Sequence, residues 1–167
     1  MKILFLDIDG VLNSIDNLYV LNELSTIKGN FAILNDLYGQ LFDERCVRWL
    51  EYIILKTDCK IVISSTWKYL GLITLKKMWK FRKLPGEIID CTSNEVSSEL
   101  LEQYKPKYNI EDRGYEIQQW IEIHKPTQYC IVDDNSDMLE HQNFVQTNYK
   151  YGLTEEKSKE IIMILNS

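Results

Sequence analysis

The sequence predicts an α/β protein whose parallel sheet carries helices on both faces. Short runs dense in β-branched and other apolar residues recur at Lys2–Leu6, Lys60–Ser64 and Gln128–Val132, and each gives way abruptly to polar residues. Helical patterns fill the stretches between them. The strand runs are continuously apolar rather than alternating, as strands buried on both faces require.

The first run ends at Asp7-Ile8-Asp9-Gly10, where polar and flexible residues halt a buried strand. Asp43 is an N-cap type for a helix whose Cys46, Leu50, Ile53 and Ile54 share one face, delivering the chain to the second run. Leu72, Leu75 and Trp79 have the spacing of the inward face of a further helix. The turn Pro85-Gly86 leads to an additional strand candidate, Glu87–Cys91. Helical spacing runs from Glu116 through Ile117, Trp120, Ile121 and His124 and halts at Pro126, with Arg113 opening the helix. Gln128–Val132 follows and stops at Asp133-Asp134. Thr154 is placed to cap a final amphipathic helix reaching Leu165. Crossovers between such strands are right-handed.

With 167 residues against roughly 150 per domain, the expectation is a single domain over 1–167. Residues 14–41 and 93–112 fit the alternation poorly and read as insertions, too short for a bulky cap. At 45% hydrophobic and 26% charged residues, the chain is neither low-complexity nor disordered. Its net charge of −6 gives no global attraction to polyanions or anionic membranes. No apolar run has the roughly 20 residues needed to span a bilayer, so a cytoplasmic protein is expected, with no membrane partner. Cys46, Cys59, Cys91 and Cys130 lack paired spacing, which points to reduced apolar side chains rather than a zinc site or disulfides.

In an open α/β sheet, ligands bind at the carboxyl ends of the strands. The polar residues that end the runs therefore converge: Asp7 and Asp9 from the first, Ser64 and Ser65 from the second, Asp133 and Asp134 from the third. So many carboxylates repel one another unless a hard cation with oxygen ligands joins them, and Mg2+ is the natural candidate. The set holds no thiolate, and neither His124 nor His141 falls at a strand end, which disfavours zinc and copper. Magnesium held by few carboxylates keeps positions for phosphate oxygens, so a phosphate ester is the expected substrate. Arg113, Ser64, Ser65 and nearby backbone N–H groups are candidates to bind that phosphate.

Phe5-Leu-Asp-Ile-Asp-Gly-Val-Leu12 resembles the first motif of the haloacid dehalogenase (HAD) superfamily, whose phosphatases carry Asp-x-Asp followed by Gly-Val or Gly-Thr. Ile61-Val-Ile-Ser64 is similar to the second motif, Arg113 to the third and Ile131-Val-Asp-Asp134 to the fourth, in the same order. Ser64-Ser-Thr-Trp67, Arg113-Gly-Tyr-Glu-Ile117 and Gly152-Leu-Thr-Glu155 resemble the HAD domain of Swiss-army-knife RNA repair proteins.

The resemblance implies a HAD-like Rossmannoid fold with a small or absent cap. It also implies a magnesium-dependent phosphomonoester hydrolase. Asp7 would attack phosphorus to form an aspartyl-phosphate, and Asp9 would protonate the leaving oxygen and then deprotonate water. Asp7, Asp134 and the backbone carbonyl of Asp9 would ligate the metal, with Asp133 acting through water or the second shell. Asp137 either supports Asp133 or is a turn or helix-cap residue.

The expected substrates are nucleotides or nucleic-acid terminal phosphates. Two alternatives are a small-metabolite phosphatase or phosphotransferase, and a catalytically silent phosphate-binding regulatory module. Tyr19, Phe31 and Tyr38 in the first insertion either stack on a base or pack the insertion itself. Lys76-Lys-Met-Trp-Lys-Phe-Arg-Lys83 is either a nucleic-acid contact or the solvated face of a helix.

Overall fold

Strand β1 (Lys2–Leu6) lies in the middle of a parallel five-stranded sheet, and Ile3, Leu4, Phe5 and Leu6 are wholly inaccessible to solvent. The computed structural model describes residues 1–30, 33–104 and 113–167. After β1 come α1 (Ile15–Lys28) and a small antiparallel hairpin of β2 (Asn35–Asp36) and β3 (Gly39–Gln40). Helix α2 (Glu44–Thr57) leads to β4 (Lys60–Ile63), and a 3-10 turn at Thr66–Leu70 precedes α3 (Leu72–Phe81) and β5 (Ile88–Cys91). The chain continues through α4 (Ser98–Tyr104), α5 (Arg113–His124), β6 (Gln128–Asp133), β7 (Phe144–Gln146) and α6 (Glu155–Asn166).

The strand order is β5-β4-β1-β6-β7. The chain builds outward from β1 through β4 to β5, then returns to the other side of β1 for β6 and β7. This reversal places a crevice at the carboxyl ends of β1 and β6, where open α/β sheets bind ligands. In register, Leu6 pairs with Ile63 on one side and with Val132 on the other. The residues just past these three positions therefore emerge together at one rim.

Alternation along the strands fills two cores. Leu4, Leu6, Ile61, Ile63, Cys130 and Val132 pack on one face against α2, α3 and α6, through Leu50, Ile53, Leu75, Met78, Ile161 and Leu165. Ile3, Phe5, Val62 and Ile131 pack on the other against Ile117 and Trp120 of α5, with the Phe5 and Trp120 rings edge to face at 5.3 Å. The result is the expected sheet with helices on both faces. Asp43 caps α2 by accepting from Arg45 N–H, and Thr154 caps α6 by accepting from Lys157 N–H.

The tertiary structure adds elements that periodicity did not indicate. Residues 14–41 hold α1 and the β2–β3 hairpin, and α4 lies within 93–112; Phe31 and residues 105–112 lie outside the described residues. β7 is three residues long, too short for a pattern to register. Among the described residues, no helix is long and apolar enough to cross a membrane.

The basic stretch 76–83 divides. Lys76, Lys77, Lys80 and Lys83 are exposed, whereas the Arg82 side chain is only 6% exposed and bonds Asp36 through two nitrogens at 2.8 and 2.9 Å. Its guanidinium also donates to Gly39 O at 3.1 Å and lies 4.5 Å over the Phe42 ring. Arg82 is therefore a clamp between α3 and the hairpin, not part of a nucleic-acid face. Tyr38 packs beside Phe81 at 5.7 Å, while Tyr19 is exposed on α1.

Candidate active site at the carboxyl rim

β1 delivers Asp7 to the rim, buried, and the chain then curls so that Ile8 O accepts from the N–H groups of Val11, Leu12 and Asn13. Gly10 sits in this curl with φ +74°, and a Cβ there would fall 2.4 Å from Asp134 Cγ. A side chain at position 10 would thus displace Asp134. β6 delivers Asp133, wholly buried, and Asp134, partly exposed. One carboxylate oxygen from each of Asp7, Asp133 and Asp134 lies within 4.8 Å of the other two.

Arg113, the first residue of α5, is the cation among them. Its Nη1 donates to Asp133 Oδ2 at 2.5 Å and lies 3.0 Å from Asp7 Oδ1. The second Asp133 oxygen accepts from Asn135 N–H at 2.9 Å. Both Asp133 oxygens are thus engaged by the protein, which leaves Asp7 and Asp134 as the more available donors. Asp137 anchors the start of α5 by accepting from Arg113 N–H at 3.1 Å through its carboxylate and from Gly114 N–H at 3.0 Å through its backbone. Gly114 allows this approach, since a Cβ would meet Leu139 N at 2.8 Å.

Burial raises the pKa of Asp7, with Arg113, a Ser65 hydrogen bond and the Ile8 backbone pulling the other way. Burial, reinforced by the Asp7 charge, pushes Asp133 up to about 7 against the pull of Arg113. Burial also raises Asp134. Three crowded carboxylates with one guanidinium leave an excess of negative charge, and all the donors are oxygens. Such a set fits a small hard divalent cation.

Past β4, Ser64 is wholly buried, and its Oγ has no hydrogen-bond partner among the described residues. Ser65 caps the following 3-10 turn by accepting from Trp67 N–H at 3.4 Å. Asp9 is not among that trio. It is exposed, and its two oxygens accept from Asn13 Nδ2 at 2.8 Å and Trp67 Nε1 at 2.9 Å.

Sequence reasoning did not assign Asn13, four residues on, or Trp67 to Asp9, and nothing in the chain's spacing marks a partner 58 residues away. It also missed the pairing of Lys68 with Glu116, in which Lys68 is 7% exposed and both residues reach Thr92. That network ties the 3-10 turn to α5. His124 stacks on Trp120 and His141 on Tyr104, so neither histidine joins the rim. All four cysteines are free thiols; burial pushes Cys46 up to about 12 and Cys91 up to about 11, and raises Cys59 and Cys130.

A parallel sheet with acidic residues at its strand ends, a half-buried arginine between them and a serine just past a neighbouring strand define a HAD-type domain. A family model described as the HAD domain in Swiss Army Knife RNA repair proteins matches residues 3–158, and the chain belongs to that family. No curated protein and no solved structure matches it. Family membership supports a HAD-type hydrolase.

Proposed function

We propose that this chain is a magnesium-dependent phosphomonoesterase working through an aspartyl-phosphate, with nucleotide or nucleic-acid terminal phosphates as its substrates. The supporting observation is the meeting of Asp7, Asp133 and Asp134 oxygens within 4.8 Å around Arg113. The buried Ser64 Oγ, without a partner among the described residues, suits a donor to a phosphoryl oxygen. Thiols held protonated by burial are poor competitors for the role of nucleophile. Free cysteines also suit a reducing, cytoplasmic setting.

Asp7, Asp134 and the backbone carbonyl of Asp9 would hold the cation, with Asp133 completing the site through water. When bound, magnesium supplies charge neutralisation at the phosphoryl oxygens. Asp7 attacks phosphorus in line, forming its carboxylate–phosphorus bond as the ester oxygen departs with the bonding electrons. Asp9 hands that oxygen a proton and is left ionised. It then takes a proton from water as the water attacks the aspartyl-phosphate, which releases inorganic phosphate and restores the Asp7 carboxylate. Arg113 and Ser64 bind the equatorial oxygens, where charge spreads. Asp133 holds the guanidinium in place.

The test is a panel of phosphoesters assayed for phosphate release with and without magnesium, using Asp7→Asn as the control. Release that requires magnesium and disappears in the variant is expected. Release persisting undiminished in Asp7→Asn would remove Asp7 as nucleophile. Stoichiometric binding of a phosphate mimic without turnover across the panel would instead favour a silent binding module.

A further inference from the structure

The rim continues beyond Asp9 into an aromatic cavity of about 280 Å³ between the β2–β3 hairpin and the 3-10 turn. Its walls include Tyr38 and Gln40 from the hairpin, and Trp67 and Tyr69 from the turn. Trp67 joins this cavity to the acid, because the indole Nε1 donates to Asp9 while the benzo ring faces the hairpin at Gly39. Tyr69 is 73% exposed, leaving its ring open to a planar ligand. The hairpin is held in place beforehand by Arg82, which bonds both Asp36 and Gly39 O. The cavity is therefore preformed and lies at the small end of ligand-binding clefts, suited to a ring system rather than a drug-sized molecule.

We infer that this cavity binds the base of a nucleoside whose phosphate is the one removed, an inference that rests on the phosphatase reading above. In an in-line displacement the leaving oxygen departs on the side opposite Asp7, where Asp9 protonates it. The remainder of the leaving group must then pass Asp9 and its hydrogen-bonded partner Trp67. A ring bonded directly to the leaving oxygen would stop on the Asp9 side of the indole. A nucleoside carries a sugar between oxygen and base, and that spacer brings the base past the indole to Tyr38 and Tyr69. Stacking on aromatic faces tolerates any base, and the Gln40 amide offers both a donor and an acceptor to a base edge.

Equilibrium binding in chelator, where magnesium-dependent hydrolysis does not consume the ligands, tests this, comparing adenosine 5'-monophosphate, ribose 5-phosphate and phenyl phosphate on the wild-type chain and on Tyr69→Ala. An exposed tyrosine can be truncated without threatening the fold. The nucleotide should bind the wild type on the order of tenfold more tightly than ribose phosphate. Tyr69→Ala should erase that preference while changing phenyl phosphate binding little. Equal binding of nucleotide and ribose phosphate to the wild type would overturn the base site. So would a loss on Tyr69→Ala as large for phenyl phosphate as for the nucleotide. Phosphate release from ribose 5-phosphate, scored separately, reports on the phosphatase reading, so either idea can fail without the other. A dinucleotide carrying a 3'-phosphate, run alongside, separates free nucleotides from strand ends as the source of the same chemistry.

Discussion

The two halves of the rim are built in different ways. On the β1–β6 side, the buried Asp7 and Asp133 and the half-buried Arg113 are locked to one another, and their positions follow from strand register and the start of α5. On the hairpin side, Asp9 is exposed and is held by Asn13 and Trp67, which belong to a loop and a 3-10 turn. The first half concentrates charge where neighbouring strands leave no room for adjustment. The second uses aromatic surfaces on short connecting elements that can be changed without disturbing the sheet. The charged trio of side chains thus rests on strands and the start of a helix and the aromatic surface on short loops; under the proposed function the loop side would also supply the general acid Asp9 and face the leaving group.

The comparison breaks most decisively at Asp7. Asp7→Asn should reduce magnesium-dependent phosphate release by at least on the order of 10³-fold, because in the proposed mechanism Asp7 forms the covalent intermediate. Steady-state assays on ribose 5-phosphate would read this, and a residual rate close to wild type would contradict it. Asp9→Asn should lower kcat by about 10²- to 10⁴-fold, the usual range for a general acid, with a smaller change in the magnesium concentration giving half-maximal rate. The opposite split would make Asp9 chiefly a metal ligand and dissolve the contrast between the two halves.

Stability gives smaller signals. Asp36→Ala should cost about 1–3 kcal/mol by leaving the buried Arg82 guanidinium without its carboxylate. Urea titration would measure that loss. Magnesium should raise the melting temperature by several degrees, since binding to the folded chain at 100 times Kd contributes about 2.7 kcal/mol. The rise should vanish in Asp134→Asn; if it persists, the cation is bound elsewhere.

A pH slope supplies the last test. The folded chain raises Asp133 from its ordinary 3.8 to about 7, mainly through burial, so over that window the native state holds a proton that the unfolded chain has released. Metal-free stability should therefore fall as pH rises from about 4 to 7 and level off above it. Unfolding followed at a series of pH values in chelator should show this, with a shallower slope in Asp133→Asn. An unchanged slope in that variant would assign the proton to another group.

The strands and the principal helices of the sheet were legible because burial on two faces leaves continuous apolar runs, and helices leave a 3.6-residue spacing. Asp7, Ser64 and Asp133 were legible for the same reason, since each directly follows or ends such a run. The hairpin and β7 were not, because strands of two or three residues carry no period. Arg82 illustrates a different gap: on the chain it belongs to a basic cluster, yet in the fold it turns inward to Asp36.

What the sequence alone determined is therefore the sheet, the order of its strands along the chain and the acidic residues those strands carry to one edge. Hydrophobic periodicity is a local property and survives being read one residue after another. Only the tertiary structure decided that Arg113 bridges Asp7 and Asp133, that Gly10 must stay bare beneath Asp134, and that Trp67 reaches Asp9 from beside an aromatic cavity. Such contacts join residues far apart in the chain, and their partners are set by packing geometry, which leaves no spacing pattern behind.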